Sequence, residues 1–316
     1  MKKSVLKMLA VLMVAAMLLP AAALGEESYT VGICQLVQHD ALDAATQGFK
    51  DALTQALGDK VSFDEQIAAG DSATCNTIVN AFVSKKVDLI LANATPALQA
   101  AYNATATIPV LGTAITEYGV ALQLDNFDGT VGGNVSGTSD LAPLTEQADM
   151  ILELFPDARN VGLLYCSAEP NSEYQVKVVE EYLTAKGVTC NRYSFADSND
   201  IAAVTTKAAA DSDVIYIPTD NTAASCTETI GNIVVAQKVP VVAGEQGICS
   251  GCGVATLSIS YYDLGYKTGE MAVKILTGEA DIATMPIEYA PATKMYNPTI
   301  CEELGITVPD GYEALK

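Results

Sequence analysis

Residues 213–225 read DVIYIPTDNTAAS. The β-forming run Val214, Ile215, Tyr216 and Ile217 halts at Pro218, and a helix-favouring stretch begins at Asn221. Between them stand Thr219, Asp220 and Asn221. Their side-chain oxygens suit the unpaired N–H groups of a helix's first turn, and suit a ligand equally well. The segment can be laid on DLILANAT (88–95), with Asp213 over Asp88 and Asp220 over Thr95. That overlay makes the chain a duplication, and the duplication decides the fold.

Working outward, each copy runs the same programme. In the first, YTVGICQLV (29–37) is a strand and HDALDAATQGFKDALTQAL (39–57) a helix, with Leu42, Ala45, Phe49, Leu53 and Leu57 on one face. VSFDEQIAAG, TCNTIVNAFVSKK, DLILANAT, PALQAAYNAT and IPVLGTAI then alternate strand and helix. In the second, RNVGLLYC (159–166), YQVKVVEEYLTAKG (174–187), VTCNRYSFAD, DIAAVTTKAAA, DVIYIPTD and VPVVAG (239–244) follow in the same order. The offset stays near 125–131 residues. Strands separated by helices of this length give βαβ units and parallel sheets. The expected fold is α/β: two Rossmann-like three-layer lobes.

Composition limits the function. Lys2, Lys3 and Lys7 precede the apolar run LMVAAMLLPAAA, the order of a secretory signal peptide over residues 1–25. No cysteine follows that run until Cys34, so no lipoprotein anchor is visible. The expectation is an exported chain, periplasmic or at the cell surface. The formal charge is −21, and losing three leader lysines takes it to about −24. Such a balance repels nucleic acid and anionic lipid, which are bound through Lys and Arg.

Catalytic and metal signatures are sparse. Cys249-Ser-Gly-Cys252 has the spacing of half a zinc site, but no second pair exists, and His39 is the only histidine. A local disulfide or two free thiols is the expectation there. No phosphate-binding loop and no G-x-S-x-G elbow occur. Gly129, Gly132, Gly133 and Gly137 lack the G-x-G-x-x-G spacing. The reading is a non-enzymatic binder without cofactor or metal.

In open α/β sheets, ligands sit beyond the carboxyl ends of the strands, where helix N-termini gather. The polar residues there are the site candidates. They are Gln38 and His39 after the first strand, Thr95 after the third, and Thr138 and Asp140 in the linking segment. The second copy adds Glu169, Asn171 and Ser172 after its first strand, then Thr219, Asp220 and Asn221. Acids fall mainly on the second lobe and link. Hence an amine is expected at Asp140 or Asp220, and a carboxylate at Thr95 with its helix terminus. Tyr261 and Tyr262 either face the cleft or pack in the lobe.

VGICQLVQHDALDAATQGF, LANATPALQA, GNVSGTSD, CSAEPNSEYQV, IYIPTDNTAAS and GVATLSISYYDLGYKTGEMAVKIL occur in that order. Through them the chain resembles the bacterial ABC-transporter substrate-binding proteins associated with tryptophan, tyrosine and phenylalanine uptake, over nearly all of residues 29–290. The resemblance implies a type I periplasmic-binding-protein fold with three hinge crossings and closure around a ligand. It also implies an ABC permease and ATPase as partners, with the binding protein itself a monomer. From the family pattern, Thr95, Asp140, Asn171, Ser172, Asp220 and Asn221 are pocket positions. The chain departs from that pattern at His39-Asp40-Ala41-Leu42-Asp43 and at GEQGICSGCG (244–253). A sugar, a nucleoside or a sensor role on the same fold are the alternatives. Crossings are expected near 134–140, 244–255 and 282–290. The lobes then comprise 29–135 plus 255–283, and 138–250 plus 286–316.

Overall fold

The computed structural model describes residues 28–315; the expected leader, residues 1–25, lies outside them. The first lobe is built from β1 (Tyr29–Gln35), α1 (Asp40–Leu57), β2 (Val61–Ile67), α2 (Ser72–Lys85), β3 (Leu89–Asn93), α3 (Thr95–Ala104), β4 (Val110–Ile115), α4 (Tyr118–Leu122) and β5 (Val135–Ser139). The second contains α5 (Leu144–Leu154), β6 (Asn160–Cys166), α6 (Pro170–Ala185), β7 (Thr189–Phe195), α7 (Ile201–Asp211) and β8 (Val214–Ile217). It continues through α8 (Asn221–Ala224), α9 (Thr227–Ala236), β9 (Val241–Ala243), α10 (Gln246–Cys252) and β10 (Ala255–Ser258). Helix α11 (Tyr261–Leu276) returns to the first lobe, followed by β11 (Glu288–Tyr289). Strand β12 (Thr293–Tyr296), α12 (Pro298–Leu304) and β13 (Glu313–Ala314) end in the second.

Two sheets result, in the orders β11-β5-β4-β3-β1-β2 and β13-β12-β10-β9-β8-β6-β7. Pairing is parallel except between β10 and β12. Central strands are apolar on both faces, as sheets covered on both sides require. In β3, Leu89 and Leu91 join Phe49 and Met271 on one side, while Ile90 and Ala92 join Phe82 and Leu98 on the other. In β8, Val214 and Tyr216 face one cluster, and Ile215 and Ile217 the opposite one.

The chain crosses between lobes at 140–143, 259–260 and 290–292. The first crossing begins after β5, whose Thr138 and Ser139 belong to the first sheet. The second comes later than 244–255. There Glu245 closes residues 246–252 into α10, accepting from Gly247 N at 2.6 Å and from Ile248 N. Strand β10 then adds to the second sheet, so 255–258 belong to that lobe. The third crossing falls after β11, which pairs Glu288 with Thr138 and Tyr289 with Ser139. Residues 286–289 are therefore in the first lobe.

Helices α1 and α11 run parallel at backbone contact. Gly265 lies on Ala45 and Gly269 on Phe49, a step of four along each helix. A Cβ at 265 would stand 1.9 Å from Ala45 O, and one at Gly48 would stand 2.1 Å from Tyr262 O. Tyr262 Oη to Asp51 (2.9 Å) and Tyr266 Oη to Gln55 (2.6 Å) fasten the pair from outside. The consequence for function is placement: His39, capping α1, and Tyr261, opening α11, are held on the same cavity.

Candidate functional site

Strand ends from both sheets converge on one small cavity. His39 follows β1, Ala114 and Thr116 come from the end of β4, and Asp140 follows β5. From the second lobe come Asn171 after β6, the Thr219–Asn221 turn after β8, and Glu245 after β9. The space is small, ≈ 10 Å³ for the centre of a water-sized sphere, or about one water. The lobes are closed on it.

Among the described residues, seven buried side-chain polar atoms have no partner, and three of them, His39 Nδ1, Asp140 Oδ1 and Asn171 Oδ1, belong to residues that line this cavity. The network around them fixes their character. Asn171 Nδ2 donates to Glu169 Oε2 (3.2 Å), Ser172 Oγ (3.3 Å) and Thr219 O (3.2 Å), so its free atom is the carbonyl oxygen. Asn221 Nδ2 donates to Glu169 Oε2 at 2.7 Å, which turns Asn221 Oδ1 towards His39 Nε2 at 3.3 Å. Nε2 therefore carries the proton. Burial lowers the His39 pKa and keeps the ring neutral, so Nδ1 presents a lone pair. Asp140 Oδ2 accepts from Tyr261 Oη at 2.9 Å, leaving Oδ1 open. The Thr116 hydroxyl lies close enough to favour the charged carboxylate, yet no hydrogen bond closes on Oδ1. All three orphaned atoms are acceptors.

The acids divide by what they already hold. Burial pushes Asp140 up to about 6, partly countered by Tyr261. Burial and the neighbouring Glu169 carboxylate push Asp220 up to about 7. Both its oxygens are committed, Oδ2 to Cys166 N (2.6 Å) and Oδ1 to Ala223 N (2.8 Å). Glu245, also raised to about 7 by burial, caps α10. Glu169 takes Asn221 N (3.1 Å), Thr222 N (2.9 Å) and Thr222 Oγ1 (2.8 Å). Only Asp140 combines a carboxylate with an unoccupied oxygen. Among the described residues no lysine or arginine lines the cavity.

Of the sequence candidates, His39, Asp140, Asn171, Thr219, Asp220 and Asn221 line the cavity together. Glu169 and Ser172 stand behind Asn171 as buried partners. Thr138 is buried within the first sheet among the hydroxyls of Thr113 (3.4 Å) and Thr268 (2.8 Å). Thr95 is buried at the head of α3 and does not line the cavity; the preceding Ala94 N is tied to Thr113 O (3.1 Å). Gln38 is exposed and also outside it. Leu42, Thr116 and Glu245 were missed. Glu245, an acid before a helical stretch, carried the one usable signal. Tyr261 faces the cavity and Tyr262 the outside. Cys249 and Cys252 are buried free thiols.

Two parallel-sheet lobes closing on a polar cavity at their strand ends define a type I periplasmic-binding-protein fold, a protein that captures small molecules by closure. A profile of the ABC transporter substrate binding protein family matches residues 30–314. The chain belongs to that family. It is 35% identical over 271 residues to a tyrosine-binding protein of Clostridioides difficile (strain R20291), covering 84% of this chain and 77% of that one. An ABC domain from Streptococcus pneumonia in complex with L-Trp superposes with a TM-score of 0.86 at 32% identity, over 91% of this chain and 100% of that one. The ligand-free, open structure of a Clostridium difficile substrate-binding protein with adhesive properties gives 0.69 at 36% identity, over 91% and 99%. Shape follows the ligand-bound relative although sequence is slightly nearer the open one, in keeping with the closed lobes seen here. Proteins of this family work outside the cytoplasm, bind a small molecule and serve a transporter. No helix among the described residues is long and apolar enough to cross a membrane.

Proposed function

We propose that the cleft captures an amino acid, an aromatic one, by its ammonium group, and that the chain delivers it as a monomer to an ABC permease and ATPase without chemical change. The observation that carries this reading is the set of three buried acceptors with no donor to meet them. An ammonium group has three N–H donors and no acceptor. His39 Nδ1, Asn171 Oδ1 and the charged Asp140 Oδ1 match it in number and sign. Orphaned buried acceptors cost free energy until a donor arrives, so ligand binding repairs a deficit built into the closed form. Charge-assisted hydrogen bonds contribute roughly 1.5–3 kcal/mol each, and micromolar affinity requires about 8 kcal/mol. Three such bonds with a buried ring reach that range. The aromatic side chain rests on the tyrosine-binding and L-Trp-bound relatives. The absence of catalysis is supported by the acids' roles, since Asp220, Glu245 and Glu169 are spent on backbone N–H groups.

Calorimetric titration with L-tyrosine, L-tryptophan and 3-(4-hydroxyphenyl)propionate tests the reading. An amino acid is expected to bind and be recovered unchanged, while the analogue lacking the amine binds at least a hundredfold more weakly. Equal binding of that analogue would overturn the ammonium assignment.

A further inference from the structure

All eight cysteines are free thiols, and two of them meet. Cys34 lies in β1 and Cys75 near the start of α2, and both are fully buried. Along β1, Val31 and Ile33 join Phe49 and Leu53 of α1, whereas Gly32 and Cys34 face the other side, towards α2. There the Phe82 ring covers Gly32, standing 2.6 Å from where a Cβ would lie. Cys75, Val79 and Phe82 are the buried residues of α2, on one face at helical spacing. The loop from β2 to α2 is sewn to the carboxyl end of β1, with Ala68 N donating to Gln35 O (2.9 Å) and Gly70 N to Leu36 O (2.8 Å). Cys75 therefore comes down beside Cys34, and the Cys34 thiol donates to the Cys75 sulfur. That hydrogen bond lowers the Cys75 pKa and raises that of Cys34, which keeps the proton. The C-x-x-C pair is arranged differently. Cys252 Sγ donates to Ile248 O at 3.2 Å, and Cys252 packs on Gly231 while Cys249 packs on Gly253.

We propose that Cys34 and Cys75 are a disulfide site, closed by thiol–disulfide exchange with a small-molecule disulfide oxidant outside the cytoplasm. Disulfides persist in oxidising extracytoplasmic surroundings. The Cys75 thiolate attacks one sulfur of the oxidant; the oxidant's S–S bond breaks and one thiolate leaves. Cys34 then gives up its proton and attacks Cys75 Sγ, and the second thiolate leaves as the protein disulfide forms. The protein loses two protons and two electrons, and the oxidant is reduced to two thiols. Access comes through the start of α2, where residues 69–73 are exposed. Asp71 holds that turn, accepting from Ala73 N (3.0 Å), Thr74 N (3.2 Å) and Thr74 Oγ1 (2.7 Å), so its local opening gates the exchange. The bond fastens an edge, because β2 is the outermost strand of the first sheet and pairs only with β1.

The test incubates the full chain with oxidised glutathione, and in parallel with reduced glutathione. Each sample is then alkylated in denaturant and mapped as tryptic peptides without reduction. Trypsin leaves Cys34 and Cys75 on separate peptides, the second spanning 61–85, and neither carries another cysteine. A 34–75 linked peptide is expected after oxidation and not after reduction. The oxidised wild type should melt about 5 °C higher than the reduced one, while Cys34→Ser and Cys75→Ser gain nothing from the oxidant. Asp71→Ala should form the link at least threefold faster, a rate that static proximity alone would not change. Recovery of both cysteines alkylated after oxidation, or of either one joined to another cysteine or to glutathione in place of the link, overturns the assignment. A link that forms without raising the Tm refutes the fastening role.

Discussion

Tyr261 donates its hydroxyl to Asp140 Oδ2 at 2.9 Å and leaves the other oxygen, Oδ1, of this cavity-lining acid without a partner. A residue opening α11 thus orients an acid that follows β5, and both flank crossings between the lobes. On the proposed reading, ligand recognition and hinge closure share these two side chains.

Asp140→Asn removes the anionic acceptor with little change of shape. Affinity for the amino-acid ligand should fall by about thirtyfold or more, since truncating one partner of a buried charge pair costs about 2–5 kcal/mol. The ligand-free protein should melt at the same temperature or higher, because a desolvated charge has been removed. Calorimetry with a thermal melt checks both halves.

Asp220→Ala should behave in the opposite way. Its oxygens hold Cys166 N and Ala223 N, a strand-to-helix clamp, and losing a cap alone costs about 1 kcal/mol. The expected result is a ligand-free Tm lowered by several degrees. An unchanged melt with abolished binding would make Asp220 the direct ammonium partner instead.

Asp140, Asp220 and Glu245 have folded pKa values of about 6, 7 and 7, all raised by burial above the ordinary carboxylate range. Raised acids favour the folded state when protonated, so their contribution is full below about pH 4 and is lost as pH rises through 6–7. The ligand-free Tm should therefore decline between pH 5 and pH 8. Ligand binding needs Asp140 ionised, so the ligand-induced rise in Tm should grow over the same interval. A rise larger at pH 5 than at pH 8 would contradict the role given to Asp140.

Gly265→Ala drives a methyl into the Ala45 carbonyl. Overpacking of this kind costs about 1–3 kcal/mol. Tm should drop, and affinity should fall with it, because the variant parts the two helices that hold His39 and Tyr261 on the cavity. Gly278→Ala, in open space but at a φ of 73°, should lower Tm without touching affinity.

The sequence made the lobes legible because parallel sheets leave unmistakable apolar runs such as LILAN and VIYI. It also brought six of eleven named site residues to the cavity, since strand ends are where such folds must bind. The hinge was harder to read. Glu245, an acid ahead of a helical stretch, hints at a cap, but nothing local in GEQGICSG announces that the crossing moves to 259–260. The same blindness placed Thr95 in the cavity: a threonine heading a helix looks identical whether its side chain is buried in its own lobe or reaches a ligand. Tyr261 could be seen but not oriented, because its role depends on a glycine-mediated contact between helices more than 200 residues apart.

A chamber with room for one water imposes a kinetic signature. No amino acid can slip past closed walls, so exchange must wait for the lobes to part. At high concentration the observed rate of capture should level off at the rate of that parting, whichever amino acid is supplied. Unloading is throttled by the same motion, so whatever accepts the cargo has to work on the hinge rather than on the ligand.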